Sequence, residues 1–385
     1  MNFAPHPLAL RKSLDPRLPE MLAVLRRLTV AESPSLDKPA AERCARIIAA
    51  TWRRLDVSVS LIPQKTRGSH IMIDSWQGKA RPAGQLLVLG HYDTVYSAGT
   101  LRKMPFHVKG RKAFGPGVFD MKAGIVQAFF ALETLQRSGL SLHKRVVFLW
   151  TSDEEVGSEF SHRLIESQAK RSDAVFVLEP AFGPKGLLKT ARKGVGEAEL
   201  IVRGRASHAG LAPEEGVNAV HELALQIARI RKWNLPRRGI TLNADVIEGG
   251  SRVNVIADRA RAFIDLRALR LADMRIVEAR LRALRPVLPG AKLEIRGGFS
   301  RPPLERKMSA GLFRCAKSLA ARMGLNLDEC TAGGGSDGNL TAALGVPTLD
   351  GLGPVGAGAH SDHEQIFVHA MPTRAALLAC LLCTC

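Results

Sequence analysis

One histidine and several carboxylates in this sequence fall at the same kind of position, directly after a short apolar run. Gln85-Leu-Leu-Val-Leu-Gly90 leads into His91-Tyr92-Asp93. Arg145-Val-Val-Phe-Leu-Trp150 leads into Thr151-Ser152-Asp153-Glu154-Glu155, and Asp173-Ala-Val-Phe-Val-Leu178 into Glu179-Pro180. Asp120 stands between the first two runs, at a loop-to-helix junction in Gly115-Pro-Gly-Val-Phe-Asp120-Met-Lys-Ala-Gly124, and His360 lies in the Gly-rich Gly356-Ala-Gly-Ala-His360-Ser361. Imidazole and carboxylate donors in this mixture suit divalent ions of borderline to hard character, zinc above all, with cobalt and manganese able to use the same set. Singly, each residue has an ordinary reading: Asp120 as a helix N-cap, His360 as a loop residue, Glu154-Glu155 as a solvated acidic pair. Jointly they fall at sheet ends, where ligands bind in an open α/β sheet. That joint placement points to a metal centre.

The elements that must position these residues are legible from periodicity. The apolar runs are short and nearly continuous, as expected of strands buried on both faces of a mostly parallel sheet. Helical spacing covers residues 19–55, interrupted at Ser33-Pro34-Ser35, and again Met121 to Arg137. From about Gly186 to Phe299 the pattern changes to strand (196–203), helix (217–230), strands (240–247 and 259–267), helix (272–288) and strand (291–299). This β-α-β-β-α-β order is that of a small ferredoxin-like α+β sandwich. The remainder, with a helix at 308–323, a short strand at 346–349 and a last helix, has too few strands to stand alone and is expected to complete the first domain. The expectation is therefore an α/β catalytic domain made of residues 1–185 and 300–385, split by an inserted domain at 186–299.

At the residues just quoted the sequence resembles the di-zinc exopeptidase family of glutamate carboxypeptidase, acetylornithine deacetylase, succinyl-diaminopimelate desuccinylase and aminoacylase. The resemblance lies in Gly90-His91-Tyr92-Asp93-Thr94-Val95, Gly117-Val-Phe-Asp120-Met121-Lys122, Asp153-Glu154-Glu155-Val156-Gly157-Ser158, Leu178-Glu179-Pro180, Ala206-Ser207-His208-Ala209-Gly210 and Gly358-Ala359-His360-Ser361. It implies a zinc-exopeptidase-type sheet flanked by helices, with the inserted domain acting as a lid and dimerisation module. It implies two zinc ions per subunit: His91 and Glu179 on one, Glu155 and His360 on the other, Asp120 bridging. Asp93 would fix the His91 tautomer, and Glu154 would be the general base. His208 would stabilise the oxyanion, in dimers often in the partner subunit's site. Asn254 and Arg267 match positions that bind the substrate carboxylate, and the loop Gly333 to Gly338 would offer N–H groups to an anion. The activity implied is hydrolysis of an amide bond to a C-terminal amino acid, glutamate carboxypeptidase-like, with N-acyl-amino acid deacylase or dipeptidase as the alternatives.

Charge alone does not choose a function. The 55 Lys and Arg exceed the 36 Asp and Glu, a surplus of +19. Basic and acidic residues alternate along helices, aromatics are only 5%, and no basic tract is interleaved with aromatics for stacking, which argues against nucleic acid as a partner. No apolar run approaches the about 18 residues needed to span a bilayer, so a membrane partner is not expected. The six cysteines lack metal-site spacing and fit a reduced cytoplasmic setting. Gly351-Leu-Gly353-Pro-Val-Gly356 has the spacing of a dinucleotide fingerprint, but no amphipathic helix opens after it. The expected partners are a small peptide or N-acyl amino acid and a second copy of the chain.

Overall fold

The computed structural model describes residues 6–76 and 82–385. It divides the chain into two compact units: residues 1–190, 306–331 and 336–385, and residues 191–305 with 332–335. Relative to boundaries at 186 and 299, the second unit begins and ends some residues later and takes in Ala332–Gly335.

The first unit is built on a six-stranded sheet whose centre is parallel: Arg145–Thr151, Gln85–His91, Ala174–Val177 and Thr348–Leu349 lie side by side. Every residue of Gln85–His91 is buried, and its apolar side chains alternate between two cores. Leu86 and Val88 face one that includes Trp52, Phe129, Phe148 and Trp150; Leu87 and Leu89 face the other, with Val147, Val175 and Leu340. Helices therefore cover both faces, which is why these runs are apolar throughout rather than alternating. The Trp52 ring lies 4.7 Å from Phe148 and 5.8 Å from Trp150, and each such buried side chain contributes about 1.5–3 kcal/mol relative to exposure. The apolar stretch near the C-terminus is part of the helix Ala370–Thr384, buried in the same core. Among the described residues no helix is long and apolar enough to cross a membrane.

The sheet's outer strands, Ser58–Ile62 and His70–Asp74, are antiparallel and were not expected. The stretch read as helical at 19–55 is two helices, Leu18–Val30 and Lys38–Trp52, the second N-capped by Asp37, which accepts from Ala40 N at 3.0 Å. A further helix, Pro7–Leu14, precedes them.

The second unit carries a four-stranded antiparallel sheet in the order Thr241–Gly249, Arg259–Ala268, Gly194–Arg203, Lys292–Arg301. The helices Ala219–Arg231 and Leu271–Arg282 share its apolar core through Leu223, Ile230, Val277 and Leu281. The second helix ends at Arg282 rather than 288. Pro286 disfavours helical backbone at the residue before it and supplies no N–H, so the helix stops short of both Pro286 and Pro289.

Candidate metal centre

Three adjacent parallel strands deliver their next residues to one edge of the sheet. His91 is the last residue of its strand, Glu154–Val156 forms a turn just after Arg145–Thr151, and Glu179 follows Ala174–Val177 by two positions. Asp120 lies in an irregular turn at Val118–Lys122 that opens the buried helix Ala123–Arg137. His360 sits in the loop between two short paired strands, Gly356–Ala357 and Gln365–Phe367. That loop needs left-handed backbone at Gly358, with φ of 81°, where a Cβ would meet His363 O at 2.9 Å.

The five side chains form two donor groups that share Asp120: His91 with Asp120 and Glu179, and Asp120 with Glu155 and His360. His91 Nε2 lies 3.3 Å from Asp120 Oδ1 and 3.4 Å from Glu179 Oε1. His360 Nε2 lies 3.4 Å from Asp120 Oδ2 and 3.2 Å from Glu155 Oε2. One carboxylate thus presents one oxygen to each group. Bonds of about 2.0–2.1 Å to zinc in tetrahedral geometry place neighbouring ligand atoms about 3.3–3.4 Å apart, which is the spacing found. His91 Nε2 and Asp120 Oδ1 are moreover buried atoms without a hydrogen-bond partner. Groups of this kind are costly unless something occupies the space between them. The donors therefore fit two divalent ions.

Electrostatics agree. Burial pushes the His91 imidazole toward neutrality, but Asp120, Asp93 and Glu179 more than reverse this and raise its pKa well above the usual value. Asp120 and Glu155 raise that of His360 to about 10. Burial opposes ionisation of Asp120, yet His360 and His91 hold its carboxyl below the ordinary range. Burial, partly offset by His360, raises that of Glu155. The cage is an excess of negative charge that attracts cations, protons when no metal competes.

Asp93 is fully buried and faces the other side of His91. His91 Nδ1 is 3.1 Å from the Asp93 carbonyl and 3.4 Å from its Oδ1, which sets the proton on Nδ1 and turns the Nε2 lone pair toward Asp120 and Glu179. Asp93 also accepts from Glu154 N at 3.3 Å, Glu155 N at 3.2 Å and Ser35 Oγ at 2.7 Å. Glu154 adjoins Glu155 in the chain and belongs to neither donor group.

His208, Asn254 and Arg267 all lie in the second unit. Exposed His208 accepts at Nδ1 from Gly210 N at 3.2 Å and Leu211 N at 3.1 Å, so its proton resides on Nε2 as a donor. Ala209 N donates to Asn254 O at 3.0 Å, which joins the two loops. Arg267 is elsewhere: it pairs with Asp265 through Nε at 2.9 Å and lines a cavity with Val195, Glu197, Asp245 and Phe263. Asn254 precedes the strand Arg259–Ala268 and Arg267 is near its far end. The eight steps from Arg259 to Arg267, at about 3.3 Å each, span about 26 Å. Asn254 and Arg267 thus belong to opposite ends of the strand.

In the glycine loop, Gly334 and Gly335 accept through their carbonyls from Arg192 at 3.1 and 2.9 Å. The N–H groups of Ser336 and Gly338 are occupied by Asn339 Oδ1 and Ser336 Oγ in the cap of helix Asp337–Ala343. The expected anion-binding amides are thus partly engaged within the fold. Sequence reasoning also missed Glu364, a buried carboxylate whose partners are the backbone of the Asp120 turn. Nothing in the local sequence, an acid in a polar loop, distinguishes it.

Comparison with known proteins is consistent with this geometry. Carboxypeptidase G2 of Pseudomonas sp. (strain RS-16) is 29% identical over 377 residues, covering 94% of this chain and 89% of the relative. A succinyl-diaminopimelate desuccinylase of Paraburkholderia xenovorans is 27% identical over 313 residues, covering 76% and 81%. The crystal structure of aminopeptidase PepT from Bacillus cereus superposes with a TM-score of 0.79 at 22% identity, covering 96% of this chain and 98% of that one. Residues 87–384 match the family described as Peptidase family M20/M25/M40. The chain belongs to that peptidase family and is a hydrolase of amide bonds.

Proposed function

We propose that this protein is a two-zinc, carboxypeptidase-type hydrolase that releases a C-terminal acidic amino acid from a small peptide or N-acyl conjugate. The observation that carries the reading is Asp120, one carboxylate shared by two three-residue donor groups, with Glu154 beside them and outside both. His91, Asp120 and Glu179 would hold one ion, and Asp120, Glu155 and His360 the other; cobalt and manganese suit the same donors. When bound, the metal pair supplies Lewis acidity toward the scissile carbonyl and acidifies a water molecule. Asp93 keeps His91 in the required tautomer. Glu154 removes a proton from the attacking water, holds it, and delivers it to the leaving nitrogen. His208 donates Nε2–H to the oxyanion.

The expected homodimer forms through the second unit, with the partner subunit's His208 serving each site. Arg267 is suited to a substrate carboxylate by its planar pair of donors. The second unit has an edge suited to pairing: the outer strand Thr241–Gly249 exposes Val246 and Ile247, and the helix Ala219–Arg231 exposes Val220 and Leu225. All six cysteines are free thiols, which supports a cytoplasmic setting.

The desuccinylase relative favours a second reading, N-acyl-amino acid deacylation, which the same centre would perform. The test is a panel of acyl-glutamates, acetylornithine, succinyl-diaminopimelate and simple dipeptides with the zinc-loaded protein. The proposal expects the acyl-glutamates to have the highest kcat/KM. An advantage of about tenfold or more for acetylornithine or succinyl-diaminopimelate would replace it with the deacylase reading.

A further inference from the structure

Glu364 is fully buried, four residues beyond His360 in the chain. Its Oε1 accepts from Phe119 N at 2.7 Å and Asp120 N at 2.9 Å, and its Oε2 from Gly117 N at 2.9 Å. Its carbonyl accepts from Gly115 N at 3.3 Å, and the next residue, Gln365, pairs with Phe114. The Tyr96 hydroxyl donates to Ser361 O at 2.8 Å and also reaches the Glu364 carboxylate. The turn at Gly115–Asp120 is wound so that successive N–H groups converge, with Gly117 at φ 72°, and such a concavity binds an anion. Here the anion is a side chain of the segment that also carries His360.

We infer that Glu364 is the positioning residue that locks Asp120 and His360 into one frame and so sets the affinity of the group Asp120, Glu155, His360 for its ion. The inference rests on the two-metal reading above. The other group shares only Asp120 with this clamp, its His91 and Glu179 being placed by the central strands. The three backbone partners of the carboxylate are all donors. A glutamine would turn its NH₂ against one of those donors whichever way it lay, so the site requires an acceptor at both oxygens and not merely a side chain of this size.

The experiment titrates chelator-stripped full-length protein with zinc against a competing chelator, for the native chain and for Glu364→Gln, with circular dichroism as the check on folding. Native protein taking up fewer than two ions would remove the two-metal reading itself, before any variant is compared. Given two ions, Glu364→Gln is expected to weaken one of them about 10–100-fold and the other, which shares only Asp120 with the clamp, clearly less. Native affinity for both ions would overturn the inference and leave Glu364 as a structural brace. Equal weakening of both would overturn it as well. Should Glu364→Gln fail to fold, Tyr96→Phe decides: the inference expects one ion to weaken by about tenfold and more than the other, and unchanged binding overturns it.

Discussion

Asp93 Oδ1 lies 3.4 Å from His91 Nδ1, while Asp93 Oδ2 accepts a hydrogen bond from the backbone of Glu155 at 3.2 Å. One buried carboxylate thus orients a donor of the first group and steadies the turn that carries a donor of the second. Asp93→Asn keeps the shape but removes the charge, and it is expected to weaken zinc binding about 10–100-fold, with kcat falling in parallel at limiting metal. A chelator-competition titration measures it; native affinity in the variant would show that Asp93 serves only the fold.

Glu154 is predicted to act on protons rather than on metal. Glu154→Gln should retain both ions while kcat drops about 10²–10⁴-fold, with little change in KM. Metal analysis alongside steady-state kinetics separates the roles, since loss of an ion would reassign Glu154 to the coordination sphere.

His208→Ala is expected to lower kcat about 10²–10³-fold with zinc content unchanged. If the partner subunit's His208 serves each site, co-expressing His208→Ala with Glu154→Gln chains should recover about a quarter of native activity, because half the dimers are mixed and each has one intact site. Recovery indistinguishable from the two parents would place His208 in its own chain's site.

A pH prediction comes from the far side of the first unit. Cys315 Sγ is 3.5 Å from Cys385 Sγ, and a hydrogen bond from that thiol lowers the Cys315 pKa to about 7. The thiolate is the reactive form, so alkylation of Cys315 should accelerate as pH rises through about 7. In Cys385→Ala, which removes the donor, the midpoint should shift toward an unperturbed thiol, about 8.5. Peptide mass spectrometry after timed iodoacetamide treatment gives both midpoints; equal midpoints would contradict the pairing.

The central strands and the side chains of the two candidate donor groups were legible in the sequence for one physical reason. Strands such as Gln85–His91 are buried on both faces and so are apolar throughout, and polar residues immediately beyond them stand out. The outer strands Ser58–Ile62 and His70–Asp74 were not legible, because they are short and mix polar with apolar residues. The end of the helix at Arg282 was readable in principle from Pro286, but apolar periodicity running on to Leu288 obscured it. Asn254 and Arg267 illustrate a different limit. Their types suit one carboxylate, but only the strand Arg259–Ala268 shows that they belong to its opposite ends. Glu364 shows the same limit from the other side: its partners are backbone N–H groups about 245 positions away in sequence, and backbone groups leave no mark on composition.

The central claim is that two metal ions share Asp120 and that amide hydrolysis depends on them. Titrating stripped protein with zinc while following cleavage of an N-acyl-glutamate tests it most directly. The account predicts two ions bound per chain, with cleavage appearing as the sites fill and lost again on chelation. Saturation at one ion or none, or cleavage that survives complete removal of metal, would contradict it.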